Sequence, residues 1–200
     1  MDTYQTITRA AGSEFSDRGS RFLGYSFPVV SAEECKEMLQ GVKKEHPKAS
    51  HYCFAWRIGQ LGETTRVSDA GEPSGSAGRP ILGQIQSRDL TNVLVVVVRY
   101  FGGSLLGIPG LIHAYKTAAS DALDKSGIIE KKIEIRLEVK CDYTVMNEVL
   151  QVIRQAGATI HFREQLLFCR FLVGVPVGNR ESFEKKMAEI RGVELGLENE

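Results

Sequence analysis

Apolar and polar residues alternate most clearly in the last third of the chain. From Ile133 to Cys141 every second residue is apolar and the residues between are charged, which predicts a strand with one solvated face. The pattern then predicts, in order, an amphipathic helix at 145–156, strands at 158–162 and 167–175, a helix from Asn179 to Gly192 and a short strand at 193–197. The order β-α-β-β-α-β predicts a ferredoxin-like fold for this part.

The first part of the chain has a less regular pattern. Residues 15–27 predict a hairpin that turns at 17–19, and Ser31 and Glu34 form a capping box that starts a helix running to about His46. The other predicted elements are a strand at 51–58, a helix at 76–86 capped by Ser74 or Ser76, a strand at 93–100 that is buried on both faces, and a helix at 111–123. We therefore predict an α+β protein with two domains, 1–129 and 130–200, and a short linker near 127–132.

Composition narrows the classes of function. Of the 200 residues, 42% are hydrophobic, which is enough apolar material for one core or two small ones. The formal net charge is zero. A strongly basic nucleic-acid binder would carry a surplus of cations. Any RNA contact must therefore come from a local patch and should be weak and salt-sensitive.

The cysteines and the apolar runs indicate a compartment. The four cysteines, at 35, 53, 141 and 169, form no C-x-x-C pair, which favours reduced thiols in or near cores over a zinc site. The N-terminus has no apolar signal region, and the longest apolar run, 93–98, is too short to span a membrane. We expect a cytoplasmic protein without a membrane partner.

A glycine-rich loop at 68–80 is the first candidate for chemistry. It holds three glycines, two prolines, two carboxylates and Arg79. Backbone N–H groups at the start of the following helix could bind an anion, and glycines let a backbone approach a ligand closely. Asp69 and Glu72 could act as an acid–base or metal-binding pair, although Asp before such a turn is often an Asx-turn residue.

A second glycine-rich loop, 99–110, leaves the buried strand and enters a helix. Strand, glycine-rich turn and helix N-terminus is a frequent phosphate-binding arrangement, but this loop has neither the Walker A sequence nor the dinucleotide-binding spacing. Glycines that serve only tight turns are the alternative. Tyr100 and Phe101 could stack on bases or belong to a core, and His51 and His113 could be catalytic or structural. No nucleophile has a recognisable setting.

The two loops carry a family resemblance. The segments 69–82, DAGEPSGSAGRPIL, and 95–103, VVVVRYFGG, together with softer matches at 19–22 and 51–55, resemble the Impact family, which includes small two-domain bacterial members. The resemblance covers roughly residues 15–125. It implies a ribosomal-protein-S5-domain-2-like fold for the first domain and, for the second, a likeness to the ferredoxin-like last domain of a ribosomal translocation factor.

The resemblance also implies a role. Eukaryotic relatives modulate the amino-acid-starvation response by binding an activator of a translation-initiation-factor kinase. This chain departs from the family pattern at Pro109, where glycine is usual, and at His113, where arginine is usual. If that arginine contacts phosphate, His113 carries the charge only partly at neutral pH.

Our leading hypothesis is a non-enzymatic regulator that binds RNA, the ribosome or a translation-associated protein, with no DNA sequence specificity, no catalytic residue, no metal and no cofactor. The alternatives are an enzyme acting on a phosphorylated small molecule or nucleotide, and a protein–protein adaptor without nucleic acid. The residues predicted to form the binding face are Arg21, His51, Asp69, Glu72, Ser74, Gly75, Arg79, Arg99, Tyr100, Gly102, Gly103, Gly107, Gly110, His113 and Tyr115.

Overall fold

The computed structural model describes residues 2–197, which form two compact units. The N-terminal unit comprises residues 4–131, and the C-terminal unit comprises residues 132–197 together with residues 2–3. The division falls two residues after the predicted boundary at 129. Within the described part of the chain, no helix has both the length and the apolar character needed to cross a bilayer.

The N-terminal unit is built around a five-stranded antiparallel sheet. The elements from residue 3 to residue 132 are β1 (Thr3–Ile7), β2 (Ala11–Asp17), β3 (Ser20–Pro28), α1 (Ala32–Glu45), β4 (His51–Ile58), β5 (Thr64–Ser68), α2 (Gly78–Ser87), β6 (Val93–Tyr100), α3 (Gly107–Lys125) and β7 (Ile128–Lys132). The sheet order is β2-β3-β6-β4-β5, and β1 and β7 form a separate two-stranded sheet.

The central strand β6 explains the unbroken apolar run in the sequence. Val93, Val95 and Val97 face the core that includes residues of α2 and α3, while the residues between them face the core that includes residues of α1. All six residues from 93 to 98 are fully buried, so neither face of the strand needs polar side chains. The same alternation continues to the end of the strand, where Arg99 lies on the α2–α3 side and Tyr100 on the α1 side.

The local signals for the hairpin and the first helix are confirmed. β2 and β3 pair in register up to Asp17 and Ser20, and both residues between them, Arg18 and Gly19, have positive φ, as a two-residue type I′ turn requires. At the start of α1 the Ser31 hydroxyl accepts from the N–H of Glu34 at 3.2 Å, the first half of the predicted capping box.

Other elements differ from the sequence prediction. The segment predicted as a linker is strand β7, paired with the unpredicted strand β1. Strand β5 was also not predicted, since its pattern TTRVS lacks an alternating apolar face and four of its five residues are exposed. The predicted capping of α2 by Ser74 or Ser76 is wrong, because the residue before that helix is Ala77 and no side chain at this position caps it.

The C-terminal unit has the predicted element order. Its elements are β8 (Glu134–Cys141), α4 (Met146–Gln155), β9 (Thr159–Gln165), β10 (Cys169–Pro176), α5 (Arg180–Ala188) and β11 (Val193–Leu197). The strands form one antiparallel sheet in the order β11-β8-β10-β9. Alternate residues of β8 and β10 form a core with α4 and α5. Across the described residues the chain is therefore a mixed α/β protein with five α-helices and antiparallel sheets.

Candidate binding site

The carboxylate of Asp69 organises the first glycine-rich loop. Its Oδ2 accepts from the N–H of Gly75 at 2.8 Å, and its Oδ1 accepts from the N–H groups of Ala77 at 3.0 Å and Gly78 at 2.8 Å. Burial alone would raise the pKa of Asp69, but these three backbone bonds together with the charge of Arg79 outweigh it and hold the pKa below its ordinary value. The start of α2 therefore already has an anion, and that anion is a side chain of the protein itself.

Glu72 and Arg99 form the second feature of the site. Arg99 Nη1 donates to Glu72 Oε1 at 2.7 Å, and the two side chains are only 6% and 4% exposed. The hydroxyl of Tyr115, from α3, donates to the same oxygen at 2.7 Å, and Nε2 of His51 lies 3.9 Å from it. Burial, with contributions from Cys53 and Glu72, raises the pKa of Tyr115 far above its usual range. Its phenol therefore stays a neutral hydrogen-bond donor.

Aromatic rings and a hydroxyl fix the guanidinium of Arg99. It lies over the rings of Phe22 and Phe101, with its Cζ atom 5.4 Å from each ring centroid. Its Nη2 donates to the Ser20 hydroxyl at 3.3 Å, and the same hydroxyl accepts from the N–H of Gly102 at 3.2 Å. Among the described residues, Nε of Arg99 has no hydrogen-bond partner. The guanidinium of Arg99 therefore already binds groups of the protein itself.

The second glycine-rich loop packs its backbone directly on the β2–β3 turn. A Cβ atom at Gly102 would overlap the backbone carbonyl of Gly19, so only glycine allows this approach. Gly103 and Gly107 have φ values of 85° and 69°, in the region that favours glycine. Pro109, one of the two departures from the family pattern, lies in the first turn of α3, where proline is tolerated.

A pocket of about 330 Å³ opens beside the buried ion pair. We call it the Glu72 pocket. Its lining residues are His51, Glu72, Pro73, Arg99, Phe101, Leu105, Leu106, Gly107, Ile108 and Leu111. Three of its apolar side chains are exposed, namely Leu105 at 85%, Ile108 at 53% and Phe101 at 49%. The pocket therefore combines apolar walls with a charge-neutral polar base.

The predicted site residues fall into several groups. His51, Glu72, Arg99 and Gly107 line the Glu72 pocket, and Tyr115 reaches it through its bond to Glu72. Asp69 and Gly75 belong to the neighbouring loop, and Gly102, Gly103 and Gly110 shape the backbone around it. Ser74 and Arg79 are exposed on the first loop.

Three predicted residues point elsewhere or are already paired. Tyr100 lies on the opposite side of the sheet, where its hydroxyl is 2.9 Å from Nδ1 of His46. Arg21 donates to Glu14 at 2.8 Å on the surface. His113 is exposed and packs edge-on against Phe15, with 5.7 Å between ring centroids.

Sequence reasoning missed residues that complete the site. Leu105, Ile108 and Leu111 line the pocket, and Cys53 donates its thiol hydrogen to the carbonyl of Asp69 at 3.0 Å. The spacing of 105, 108 and 111 could have indicated one face at the start of a helix. Nothing in the sequence around Cys53 indicates its contact with a loop 16 residues away.

The fold and the site define a class: a two-unit α/β protein whose first unit carries an apolar pocket over a buried carboxylate–guanidinium pair. Residues 18–123 match the family model of the Impact N-terminal domain, and the chain belongs to the Impact family. The family resemblance inferred from the two loops is therefore confirmed.

Relatives extend this likeness over most of the chain. IMPACT family member YvyE of Bacillus subtilis is 34% identical over 84% of this chain and 79% of its own length. IMPACT family member YigZ of Escherichia coli is 31% identical over 89% of this chain and 88% of its own. A solved crystal structure described as that of a hypothetical protein is 27% identical, with a TM-score of 0.75 over 100% of this chain and 99% of that one.

Proposed function

We propose that this protein is a non-enzymatic regulator in the cytoplasm that binds a translation-associated protein, such as a protein of the ribosome, at the Glu72 pocket. The observation that carries the proposal is the exposed apolar rim of Leu105, Ile108 and Phe101 beside a polar base that is already neutralised. Exposed apolar side chains around a concave site are typical of protein contacts. The link to translation rests on what the family resemblance implies for eukaryotic relatives.

Charge favours a protein over a phosphate backbone as the main ligand. Phosphate binding relies on available cations. In this face Arg99 is bonded to Glu72, Arg21 is bonded to Glu14, and the N–H groups at the start of α2 are bonded to Asp69. A second candidate function is RNA binding, which the exposed Arg79 and the half-exposed ring of Phe101 favour.

The two units support finer fold assignments, which we also propose. The order β11-β8-β10-β9, with α4 and α5 contributing to one core, supports a ferredoxin-like C-terminal domain. The match to the Impact N-terminal domain supports an S5-domain-2-like fold for the first unit. Neither assignment is needed for the binding proposal, which rests on the pocket.

Sedimentation with purified bacterial ribosomes tests the proposal. Leu105→Asp changes the most exposed side chain of the rim and should leave the fold unchanged, whereas Arg79→Glu reverses the exposed cation. We expect the wild-type protein and Arg79→Glu to pellet with ribosomes and Leu105→Asp to remain in the supernatant. Raising the salt concentration should weaken the wild-type interaction only slightly.

The other outcomes separate the alternatives. If Arg79→Glu and added salt abolish pelleting while Leu105→Asp does not, the ligand is RNA backbone. If no form pellets with ribosomes, the ribosomal partner is wrong. A large thermal shift with ATP and Mg²⁺ that Leu105→Asp removes would instead support the enzyme alternative.

A further inference from the structure

Two of the four cysteines face each other in the C-terminal unit. Cys141 ends β8, Cys169 begins β10, and the two residues are direct partners in the antiparallel ladder. Both belong to the same core cluster, so their side chains project from the same face of the sheet. Opposed Cβ atoms on neighbouring antiparallel strands lie about 4.5–5.5 Å apart, and a disulfide needs a Cβ separation of about 3.5–4.5 Å. A small closure of the two strand ends therefore suffices.

The contacts that the Cys169 thiol makes with neighbouring side chains are weak and would not prevent it from bonding to Cys141. Cys169 Sγ contacts Met146 Sδ at 3.5 Å, and the amide of Gln165 donates to the same Met146 sulfur at 3.0 Å. These are weak sulfur contacts. The other two cysteines, Cys35 and Cys53, belong to different cores on opposite sides of the N-terminal sheet. Within the described residues, the facing pair in β8 and β10 is thus the one arrangement suited to a disulfide.

Both thiols are buried, with Cys141 3% exposed and Cys169 fully buried, but Cys141 lies at the wall of a pocket. Cys141 lines a pocket of about 490 Å³, together with Lys140, Asp142, Phe168, Gly192 and Glu194. Cys169 follows a surface turn in which Leu166 and Leu167 are 72% and 93% exposed. Both thiols lie at strand ends next to exposed segments, so a peroxide reaches them through local opening of these ends.

We propose that Cys141 and Cys169 form a reversible disulfide when the protein meets a peroxide. The Cys141 thiolate attacks one oxygen of hydrogen peroxide: an S–O bond forms, the O–O bond breaks, and the departing hydroxide takes a proton to become water. Cys169 then attacks the sulfenic acid sulfur of Cys141. The S–S bond forms, the S–O bond breaks and a second water leaves. In sum, two thiols and one peroxide give one disulfide and two waters.

The reaction should be slow and specific. Burial, with smaller contributions from the neighbouring Cys169, raises the pKa of the Cys141 thiol to about 11, so the thiolate is a small fraction at neutral pH. Once the sulfenic acid has formed, the attack of the facing thiol is intramolecular and therefore competes well with further oxidation of Cys141. Once formed, the bond ties the end of β8 to the start of β10, and a reducing thiol reverses it.

Mass spectrometry of the full-length protein tests the proposal. The protein is treated with millimolar hydrogen peroxide for several hours, unfolded, alkylated without reduction and digested. We expect a linked peptide pair that joins Cys141 to Cys169, lighter by two hydrogen atoms than the two reduced peptides, and lost after dithiothreitol. Cys35 and Cys53 should be recovered alkylated. The linked form should also melt roughly 5 °C higher than the reduced form.

Cysteine variants and the identity of the oxidation products test whether this disulfide forms. Cys169→Ser should abolish the link, whereas the double variant Cys35→Ser/Cys53→Ser should keep it. The proposal is overturned if both facing cysteines are recovered alkylated, if Cys141 accumulates as a sulfinic acid, or if oxidation is confined to Met146 sulfoxide. The linked peptide of the wild-type protein decides the question even if Cys169→Ser fails to fold.

Discussion

Arg99 donates to Glu72 at 2.7 Å in a site where the two side chains are only 6% and 4% exposed. Such a pair is costly to desolvate, and its attraction repays that cost only while both partners are present. The pair joins the first glycine-rich loop to the end of β6, because Glu72 lies in the loop and Arg99 in the strand. Glu72 therefore stabilises the pocket by neutralising an arginine that the fold has already buried.

We predict that Glu72→Ala destabilises the protein by about 3–5 kcal/mol, because the substitution leaves a buried guanidinium without its carboxylate. Denaturant titration measures the change in the free energy of unfolding. The double variant Glu72→Ala/Arg99→Met removes both charges and should recover most of the loss. Equal stability of the single and double variants would contradict the assignment of the cost to an unpaired Arg99.

Asp69 should contribute to stability through the three backbone N–H groups that it binds. Asp69→Ala leaves these donors without their acceptor, and we expect a loss of about 2–3 kcal/mol. Glu33→Ala is a suitable control, since Glu33 is 76% exposed and lies 3.7 Å from the exposed Lys36 one turn away on the surface of α1. Its change should stay within about 0.5 kcal/mol.

The contribution of Asp69 should depend on pH. The pKa of Asp69 is lowered in the folded protein, so its contribution is fully present above the unfolded-state pKa of about 3.9 and is lost as the pH falls through the lower folded-state pKa. The stability difference between the wild-type protein and Asp69→Ala should therefore be constant near neutral pH and shrink below about pH 4. A difference that grew on acidification would refute this role for Asp69.

Tyr115 offers a test of the hydrogen bond to Glu72 alone. Tyr115→Phe keeps the ring and its edge-on contact with Phe22, whose centroid lies 5.2 Å away, but removes the hydroxyl donor. We expect a loss of about 1–2 kcal/mol, below that of Glu72→Ala, because Arg99 still neutralises the carboxylate. Burial raises the pKa of Tyr115, so its phenol should titrate at a higher pH in the folded than in the unfolded protein, and the difference in tyrosinate absorption between the wild-type protein and Tyr115→Phe measures this.

Strong local signals made much of the fold predictable. The alternation in β8, the capping box of α1 and the apolar run of β6 all depend on residues close in the chain, and each predicts its element. The short strands β1, β5 and β7 were missed because their stability comes from pairing partners, which local patterns do not reveal. For β1 the partner lies more than a hundred residues away.

The site was less predictable for a related reason. Sequence identified Glu72, Arg99 and Asp69 as charged groups near glycine-rich turns, but charge neutralisation is a tertiary property. Arg99 lies 27 positions from the carboxylate that binds it. Only the three-dimensional arrangement reveals that the anion at the start of α2 is Asp69 itself, which shifts the interpretation of the face away from phosphate.

Gly102 is tightly packed against backbone and Gly83 has open space beside it, so alanine should affect stability in opposite directions at the two positions. At Gly102 an added Cβ would overlap the backbone of Gly19, whereas at Gly83, inside α2, it would meet nothing within 4 Å. We expect Gly102→Ala to destabilise the protein by more than about 2 kcal/mol, because backbone atoms cannot move aside as a flexible side chain could. Gly83→Ala should stabilise it by about 0.5–1 kcal/mol through helix propensity. Thermal unfolding of both variants measures the contrast, and a Gly102→Ala variant as stable as the wild type would show that the β2–β3 turn and the second loop do not pack as closely as described.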